Sequence, residues 1–324
     1  MSLDNPLVSI LMTSFNSSLY IQQAISSVLA QTYTNWELLI ADDCSTDNTR
    51  ELINKFDDPR IRKFHNDFNL HYLRSRNKLV GHVKGDFITL LDADDLAEVN
   101  RLELQLHAFE KDDQLGMCGT QVRFIDRLGS HLDIEDSKPL SFEEIKDKIR
   151  NENVFTGSTI MVKTSIWNEI GGYRDYFNSL GYEDYDLTSR IVEKYKCVNL
   201  PNKLYLYRQY PESTSKKDLI YNPFKLHGHS LVKKCIEDRA ATGEDLVSKG
   251  DFPSIINFII EQHKPFIDDS SLIYRNMMWS YLNKGLNSMA TRFILKAIYI
   301  KPFNWTNWRT FIIYVLLRLR IIKE

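Results

Sequence analysis

The 324-residue chain lacks any run of 18 or more uninterrupted apolar residues, so no segment of it reads as a membrane-spanning helix. Its first residues, MSLDNPLVSI, have no basic stretch followed by a long apolar run, and no signal peptide is expected. Cysteine is scarce: Cys44, Cys118, Cys197 and Cys235 lie far apart, without a CxxC pair or metal-finger spacing. They read as reduced thiols of a cytosolic protein. A net charge of −2 gives no reason to expect nucleic acid as a partner. There is no GxGxxG after the first strand and no GxxxxGK[ST] anywhere, which removes the Rossmann dinucleotide and P-loop phosphate cradles.

What is present is an ordinary globular composition, 43% hydrophobic and 26% charged. Strand and helix patterns alternate through the first half. Strands are expected at 7–13, 36–41, 61–65 and 86–92, with helices at 20–31, 45–56, 73–84 and 98–111. Ser45 or Thr46 is the expected cap of the second helix. Such alternation implies βαβ units and an α/β fold with a mainly parallel sheet flanked by helices. A strand near 115–126 follows, then an irregular stretch to about 140, a strand at 158–163, helices at 164–173 and 183–195, and a strand at 203–208. From about 220 the pattern is helical, with segments near 252–263, 271–284 and 286–299. The expected organisation is a catalytic domain over 1–218 and a helical C-terminal region over 219–324.

The early strands end in polar groups: Thr13, Ser14 and Asn16 after the first, Asp42 and Asp43 after the second, Asp92 and Asp94 after the fourth. Open α/β sheets bind ligands outside the carboxyl ends of their strands. Asp-x-Asp in extended geometry points both carboxylates to one face. A phosphate facing them needs an intervening cation, and Mg²⁺ or Mn²⁺ takes one or two carboxylates plus phosphate oxygens. These acids therefore read as a metal bridge to a diphosphate.

The blocks LVSILMTSFNSSLYIQQAISSVLAQTYTNWELLIADDCSTDNT, LLDADD and GYEDYDLTSRI, in this order, resemble the family 2 inverting glycosyltransferases of GT-A fold, over about residues 7–215. The resemblance implies a nucleotide-diphospho-sugar donor, Mn²⁺ or Mg²⁺, and a glycan or lipid-linked acceptor. It sets Thr13 and Phe15, with Asn16 beside them, at the base, and has Asp43 hydrogen-bond the base beside Asp42. It sets Arg76 and Asn77 near the donor sugar and nucleotide. Within LLDADD it makes Asp94 the metal ligand and turns Asp92 toward ribose and sugar, or onto the metal as well, with Ala93 between them. Asp95 reads as a helix-capping neighbour.

GYEDYDLTSRI places Glu183 and Asp184 in the first turn of a helix, where acids also simply favour the helix dipole. The resemblance makes Asp184 the catalytic base and Glu183 its orienting neighbour. Thr156, Gly157 and Ser158 match the stretch lining the acceptor side. Trp167 and Tyr182 offer faces for sugar stacking or for core packing. The family often has YRxH near the end of the catalytic region. Here YRQYP puts Tyr210 in place of the histidine and leaves Arg208 for phosphate charge, with His227 or His229 as substitute metal ligands.

Residues 301–324 hold five basic side chains and one acid, with tryptophans and an apolar run. They read as an interfacial membrane helix or as a helix docked on its own domain or a second subunit. The competing functions are a sugar-nucleotide nucleotidyltransferase, whose Gly-rich basic loop SFNSSLY does not supply, and a non-catalytic binding protein. The retention of Asp43, Asp92, Asp94 and Asp184 together argues against the latter.

Overall fold

A computed structural model describes residues 5–209, 222–283 and 287–319. Strands β1 (Val8–Ser14), β2 (Trp36–Asp42) and β4 (Phe87–Leu90) are buried at every position. Their continuous apolar runs fit interior strands covered on both faces. With β3 (Ile61–His65), β5 (Leu96–Ala97), β6 (Leu115–Ile125), β7 (Met161–Lys163) and β8 (Lys196–Arg208) they form one sheet in the order β3-β2-β1-β4-β7-β6-β8-β5. The β3-β2-β1-β4 half is parallel, and β7 runs antiparallel to both β4 and β6. Strand β8 is parallel to β6, and the short β5 pairs antiparallel with β8. The sheet is therefore mixed, with its parallel half carrying the acidic ends of β2 and β4 and the polar end of β1 between them.

Helices α1 (Ile21–Leu29), α2 (Thr49–Asn54), α3 (Tyr72–Val80) and α4 (Arg101–Lys111) fill the early connections. Helix α2 starts later than its sequence implies: Asn48 is at its cap position, while Asp47 Oδ1 accepts from the Thr49 amide and hydroxyl. Helix α5 (Phe142–Lys148), in the stretch from 140 onward, is closed by a Ser141–Glu144 capping box. Residues 157–159 form a 3₁₀ turn, so β7 is shorter than the expected 158–163. Strand β8 begins seven residues earlier than the KLYLYR pattern. Its pairing with β6 jumps from Leu200 to Lys203 opposite Thr120 and Gln121, so Pro201 lies in a bulge where a missing N–H costs little.

Helices α6 (Thr164–Ile170) and α7 (Glu183–Val192) complete this part. Tyr182, at the cap of α7, has φ of 68° and follows Gly181 at 82°, a sharp turn that delivers Glu183 and Asp184 into the first helical turn.

The chain forms two compact units, one of residues 1–217 and 228–250, the other of 218–227 and 251–324. Where the sequence implies a single division at 218/219, helix α9 (Gly228–Thr242) belongs to the first unit. It is held there by a buried ionic network. Arg174 bridges Asp186 and Asp245, Arg190 Nη2 is 2.9 Å from Asp186, and Arg239 reaches Asp245 at 2.5 Å and Glu193 at 2.7 Å. The second unit contains α8 (Pro223–Leu226), α10 (Phe252–Asp268), α11 (Leu272–Asn283), α12 (Asn287–Ile300) and α13 (Trp305–Arg318). Its core is formed by Ile273, Tyr274, Met278, Ala290, Ile294, Ala297 and Tyr314. No described helix is long and apolar enough to cross a membrane, and the four cysteines are free thiols.

Candidate active site

The carboxyl ends of β1, β2 and β4 lie side by side, which brings Thr13, Asp42, Asp43 and Asp92 to one edge of the sheet. Asp43 is buried. Its Oδ1 accepts from Asn66 Nδ2 at 2.8 Å, Ser75 Oγ at 2.7 Å and the Leu70 amide at 2.9 Å. All three donors go to one oxygen, so Oδ2 takes no hydrogen bond from the described residues and is left for a ligand. Asp42 is also buried. Its Oδ2 lies 3.8 Å from His65 Nδ1, and its Oδ1 has no partner. Phe15 is half exposed, as a ring stacking on a base needs to be. Asn16, expected with the donor, instead braces the loop. Its Oδ1 accepts from the Thr46 amide at 2.8 Å, and its own amide donates to Ser45 Oγ. Ser45 and Thr46, expected as helix caps, serve this brace.

Asp92 joins the strand end to the rest of the site. Its Oδ1 accepts from Arg76 Nη2 at 2.7 Å, its Oδ2 accepts a short hydrogen bond from Ser158 Oγ, and its amide donates to Tyr205 Oη at 3.1 Å. Ala93 is buried and Asp94 half buried. Asp95 does not cap a helix: α4 starts only at Arg101, and Asp95 Oδ1 accepts from the Arg208 amide at 2.7 Å. Burial, then the charges of Asp94 and Asp92, push the Asp95 carboxyl well above its ordinary range.

Asp184 lies against the 3₁₀ turn that carries Ser158. A Cβ placed on Gly157 would fall 1.9 Å from its Cγ, so only glycine permits this approach. Tyr173 Oη donates to Asp184 Oδ1 at 2.6 Å. Burial raises the Asp184 carboxyl, while Arg76 and the Tyr173 hydrogen bond hold it down. Glu183 is pushed up further, by burial and then by the Asp184 charge, with Tyr72 and Arg76 opposing. Its Oε2 is buried without a partner. Arg76 is the shared cation. Burial works against its charge, but Asp92, Asp184 and Glu183 keep it protonated, and its Nε has no hydrogen-bond partner. Asn77 Nδ2 donates to the Tyr173 carbonyl at 3.0 Å and so positions the tyrosine rather than a ligand.

Four expected site residues are placed elsewhere. Arg208 is buried, and its guanidinium is spent on Asp94 O at 2.7 Å, Asp126 O, Arg127 O and Gln23 Oε1. It shapes the acidic loop and is not presented to a phosphate. Trp167 is 1% exposed, edge-on to Tyr173 at 5.2 Å, and is core rather than a stacking face. His227 lies in the second unit, where its Nε2 is 3.1 Å from His263 Nδ1 and its ring packs on Phe266. His229 packs on Tyr185 with centroids 5.3 Å apart. Neither histidine reaches the acidic loop through a described contact, and Tyr210 lies outside the described residues. Thr156 lends its carbonyl to Thr159, and Tyr182 is half buried beside His229.

Sequence reasoning missed Tyr72, Tyr173, Tyr205 and Arg101. Buried Arg101 donates to Leu90 O, Thr89 Oγ1 and Ser158 O at 2.8–3.0 Å, tying the Ser158 turn to β4. Nothing marks a tyrosine or arginine for such a role before its long-range partner is known.

Residues 9–171 match the model of glycosyl transferase family 2. Over 246 residues the chain is 30% identical to an uncharacterized glycosyltransferase of Methanocaldococcus jannaschii, covering 72% of this chain and 82% of that protein. It is 43% identical over 117 residues to the UDP-Glc:alpha-D-GlcNAc-diphosphoundecaprenol beta-1,3-glucosyltransferase WfgD of Escherichia coli, covering 36% of this chain and 46% of that enzyme. In fold it is similar to S. aureus TarS residues 1–349 crystallised with UDP-GlcNAc. The TM-score is 0.59 at 16% identity, over 90% of this chain and 81% of that one. The chain belongs to glycosyl transferase family 2, has the GT-A fold, and is a glycosyltransferase.

Enzymes of this family commonly use a divalent metal. Among the described residues no group of three His, Cys, Asp or Glu side chains gathers to enclose an ion. The acidic loop nevertheless suits a hard cation bound largely by its ligand. Asp92, Asp94 and Asp95 lie close enough for their like charges to raise Asp95, and a divalent ion needs only one or two carboxylates when phosphate oxygens complete its shell. Both Asp92 oxygens already accept from protein donors.

Proposed function

We propose that this glycosyltransferase moves a sugar from a UDP-sugar, with inversion, onto a hydroxyl of a glycan or lipid-linked acceptor in surface polysaccharide synthesis on the cytoplasmic side. The observation that carries this reading is the joining of the Asp92 loop and Asp184 through the 157–158 turn. Ser158 holds Asp92, and Gly157 lies against Asp184. A carboxylate on the acceptor side is thereby fixed opposite the strand end that faces the donor.

Each residue then has one task. Phe15 stacks on uracil and Asp43 Oδ2 accepts from it. Asp92 orients ribose and sugar, and Asp94 would hold Mn²⁺ or Mg²⁺ with the diphosphate. A bound ion supplies charge neutralisation for the leaving UDP. Asp184 takes the proton of the acceptor hydroxyl as its oxygen attacks the anomeric carbon. A carboxylate raised by burial is a better base than one at its ordinary pKa, provided it stays ionised at working pH. Burial and the Asp184 charge also raise Glu183, beside Asp184 in the same helical turn. Because one displacement occurs, the anomeric centre inverts. The E. coli relative WfgD, a UDP-Glc:alpha-D-GlcNAc-diphosphoundecaprenol glucosyltransferase, supports UDP and a lipid-linked acceptor.

A panel of UDP- and GDP-sugars, scored for nucleotide release with and without Mn²⁺, tests the reading. Metal-dependent release from a UDP-sugar, with an inverted linkage by NMR, is expected. Turnover of GDP-sugars alone, or a retained anomer, overturns it.

A further inference from the structure

The acidic and basic side chains of this chain are strongly segregated. Residues 270–323 contain nine lysines and arginines and no aspartate or glutamate, whereas residues 1–269 carry 32 basic against 42 acidic side chains. The cationic stretch takes in α11, α12 and α13 of the second unit, and this region also exposes large apolar side chains. On α13, Trp305, Trp308, Ile312 and Leu319 stand at i, i+3, i+7 and i+14, one stripe of the helix with exposed Arg309 at its edge. The opposite face, Asn307, Thr310 and Tyr314, is buried. On α12 the exposed stripe is Arg292, Leu295, Lys296 and Tyr299, opposite buried Ala290, Ile294 and Ala297. Phe303, in the turn between the two helices, is 99% exposed, Tyr299 85% and Trp305 71%. Arg292, Arg309 and Arg318 have no ion-pair partner among the described residues, and their own segment offers no acid to supply one.

A soluble surface normally scatters its exposed aromatics and mixes its charges. Here tryptophan, tyrosine and phenylalanine are interleaved with unpaired cations over two consecutive helices. That chemistry matches the headgroup layer of an anionic bilayer, where aromatic rings sit at the acyl boundary and basic groups meet phosphates. A second copy of the same surface would set cation against cation, which disfavours a symmetric dimer through it. No described helix is long and apolar enough to span.

We propose that the exposed stripes of α12 and α13, with Phe303 between them, form a peripheral binding surface for anionic lipid membranes. The surface is independent of the catalytic reading. It lies on the interface with its aromatic side chains inserted and its arginines and lysines against lipid phosphates, so binding weakens with salt.

The test uses the full chain and two kinds of vesicle, equal parts phosphatidylglycerol and phosphatidylcholine, and phosphatidylcholine alone. Wild type should sediment with the anionic vesicles and much less with the neutral ones. Its tryptophan emission should shift to the blue and be quenched by brominated acyl chains, with Trp36 and Trp167 already buried and Trp279 partly buried in the second unit's core. The triple variant Arg292→Glu, Lys296→Glu, Arg309→Glu should lose about tenfold or more in partitioning. Trp305→Ser with Trp308→Ser should remove most of the blue shift, and both variants should stay folded, because all five positions are exposed and the losses are confined to the Trp308 hydrogen bond to Pro302 O and the Lys296 contact with the Tyr274 ring. Vesicle binding unchanged in both variants overturns the proposal. So does equal binding to neutral vesicles, or a wild-type dimer that the tryptophan variant disperses in a protein that ignores vesicles.

Discussion

Gly157 and Asp184 pack so closely that a β-carbon on Gly157 would fall within 2.3 Å of both carboxylate oxygens. The same turn presents Ser158 to Asp92. The position of the Asp184 carboxylate thus depends on a residue with no functional group.

Gly157→Ala is therefore expected to displace Asp184 while leaving the nucleotide site on β1 and β2 untouched. Transfer should fall by about 10²–10⁴, the usual cost of losing a positioned base, with UDP affinity kept within a few-fold. Calorimetric titration of UDP beside transfer kinetics reads both. Equal loss of binding and rate would place the turn in the donor site instead.

Tyr173→Phe removes a hydrogen bond that lowers the Asp184 pKa and leaves burial, which raises it. The base is active only when ionised, so the acid limb of the kcat/KM profile should move to higher pH in the variant. Transfer at high pH should approach wild type. A limb that stays in place would show that Asp184 is not the titrating group.

Asp94→Asn should abolish the Mn²⁺ dependence of UDP binding, because the carboxylate proposed to hold the ion is lost. Retained Mn²⁺-dependent binding would move the ion elsewhere.

Asp43→Ala is expected to cost both affinity and stability. It removes Oδ2, the acceptor proposed for uracil, and it removes Oδ1, the acceptor of the Ser75 hydroxyl, the Leu70 amide and Asn66 Nδ2, the last of which keeps Ser75 Oγ. Each stranded buried donor costs about 1–3 kcal/mol. A lower melting temperature with weakened UDP binding checks both.

Asp245 is fully buried between Arg174 and Arg239. Burial alone would raise its carboxyl, but the two guanidinium groups and the Ser248 amide hold it at about 2. Its stabilising contribution is thus present above the ordinary carboxylate pKa and is lost as pH falls toward 2. Asp245→Asn should destabilise the first unit by about 1–3 kcal/mol at neutral pH, the cost of weakening charged hydrogen bonds to Arg174 and Arg239, which keep Asp186 and Glu193 as partners. The difference between variant and wild type should shrink as the pH is lowered, which chemical denaturation at several pH values measures.

The alternation of apolar strands and amphipathic helices determined the parallel half of the sheet, because burial on both faces writes an unbroken apolar run. Strand β3 is where its pattern implies, and β1, β2 and β4 end within two residues of theirs. The acids at those strand ends were legible for the same reason, since charge at the end of a buried run has no packing role. Tertiary structure alone decided which polar groups face a ligand. Arg208 and Trp167 look like ligand groups in the chain, but Arg208 is consumed by Asp94 O, 114 residues away, and Trp167 is buried edge-on against the Tyr173 ring. Conversely Tyr173 and Tyr72 carry no local signal and acquire their roles only when α7 brings Glu183 and Asp184 against them, and Gly157, expected by resemblance on the acceptor side, shows its close approach to Asp184 only in the fold. Pro201 hid the first half of β8, because a proline argues against a strand until a bulge removes the need for its N–H. The return of α9 to the first unit rests on Arg174, Arg239 and Asp245. Each is an ordinary charged residue in sequence, and only their mutual burial makes them hold two remote helices together.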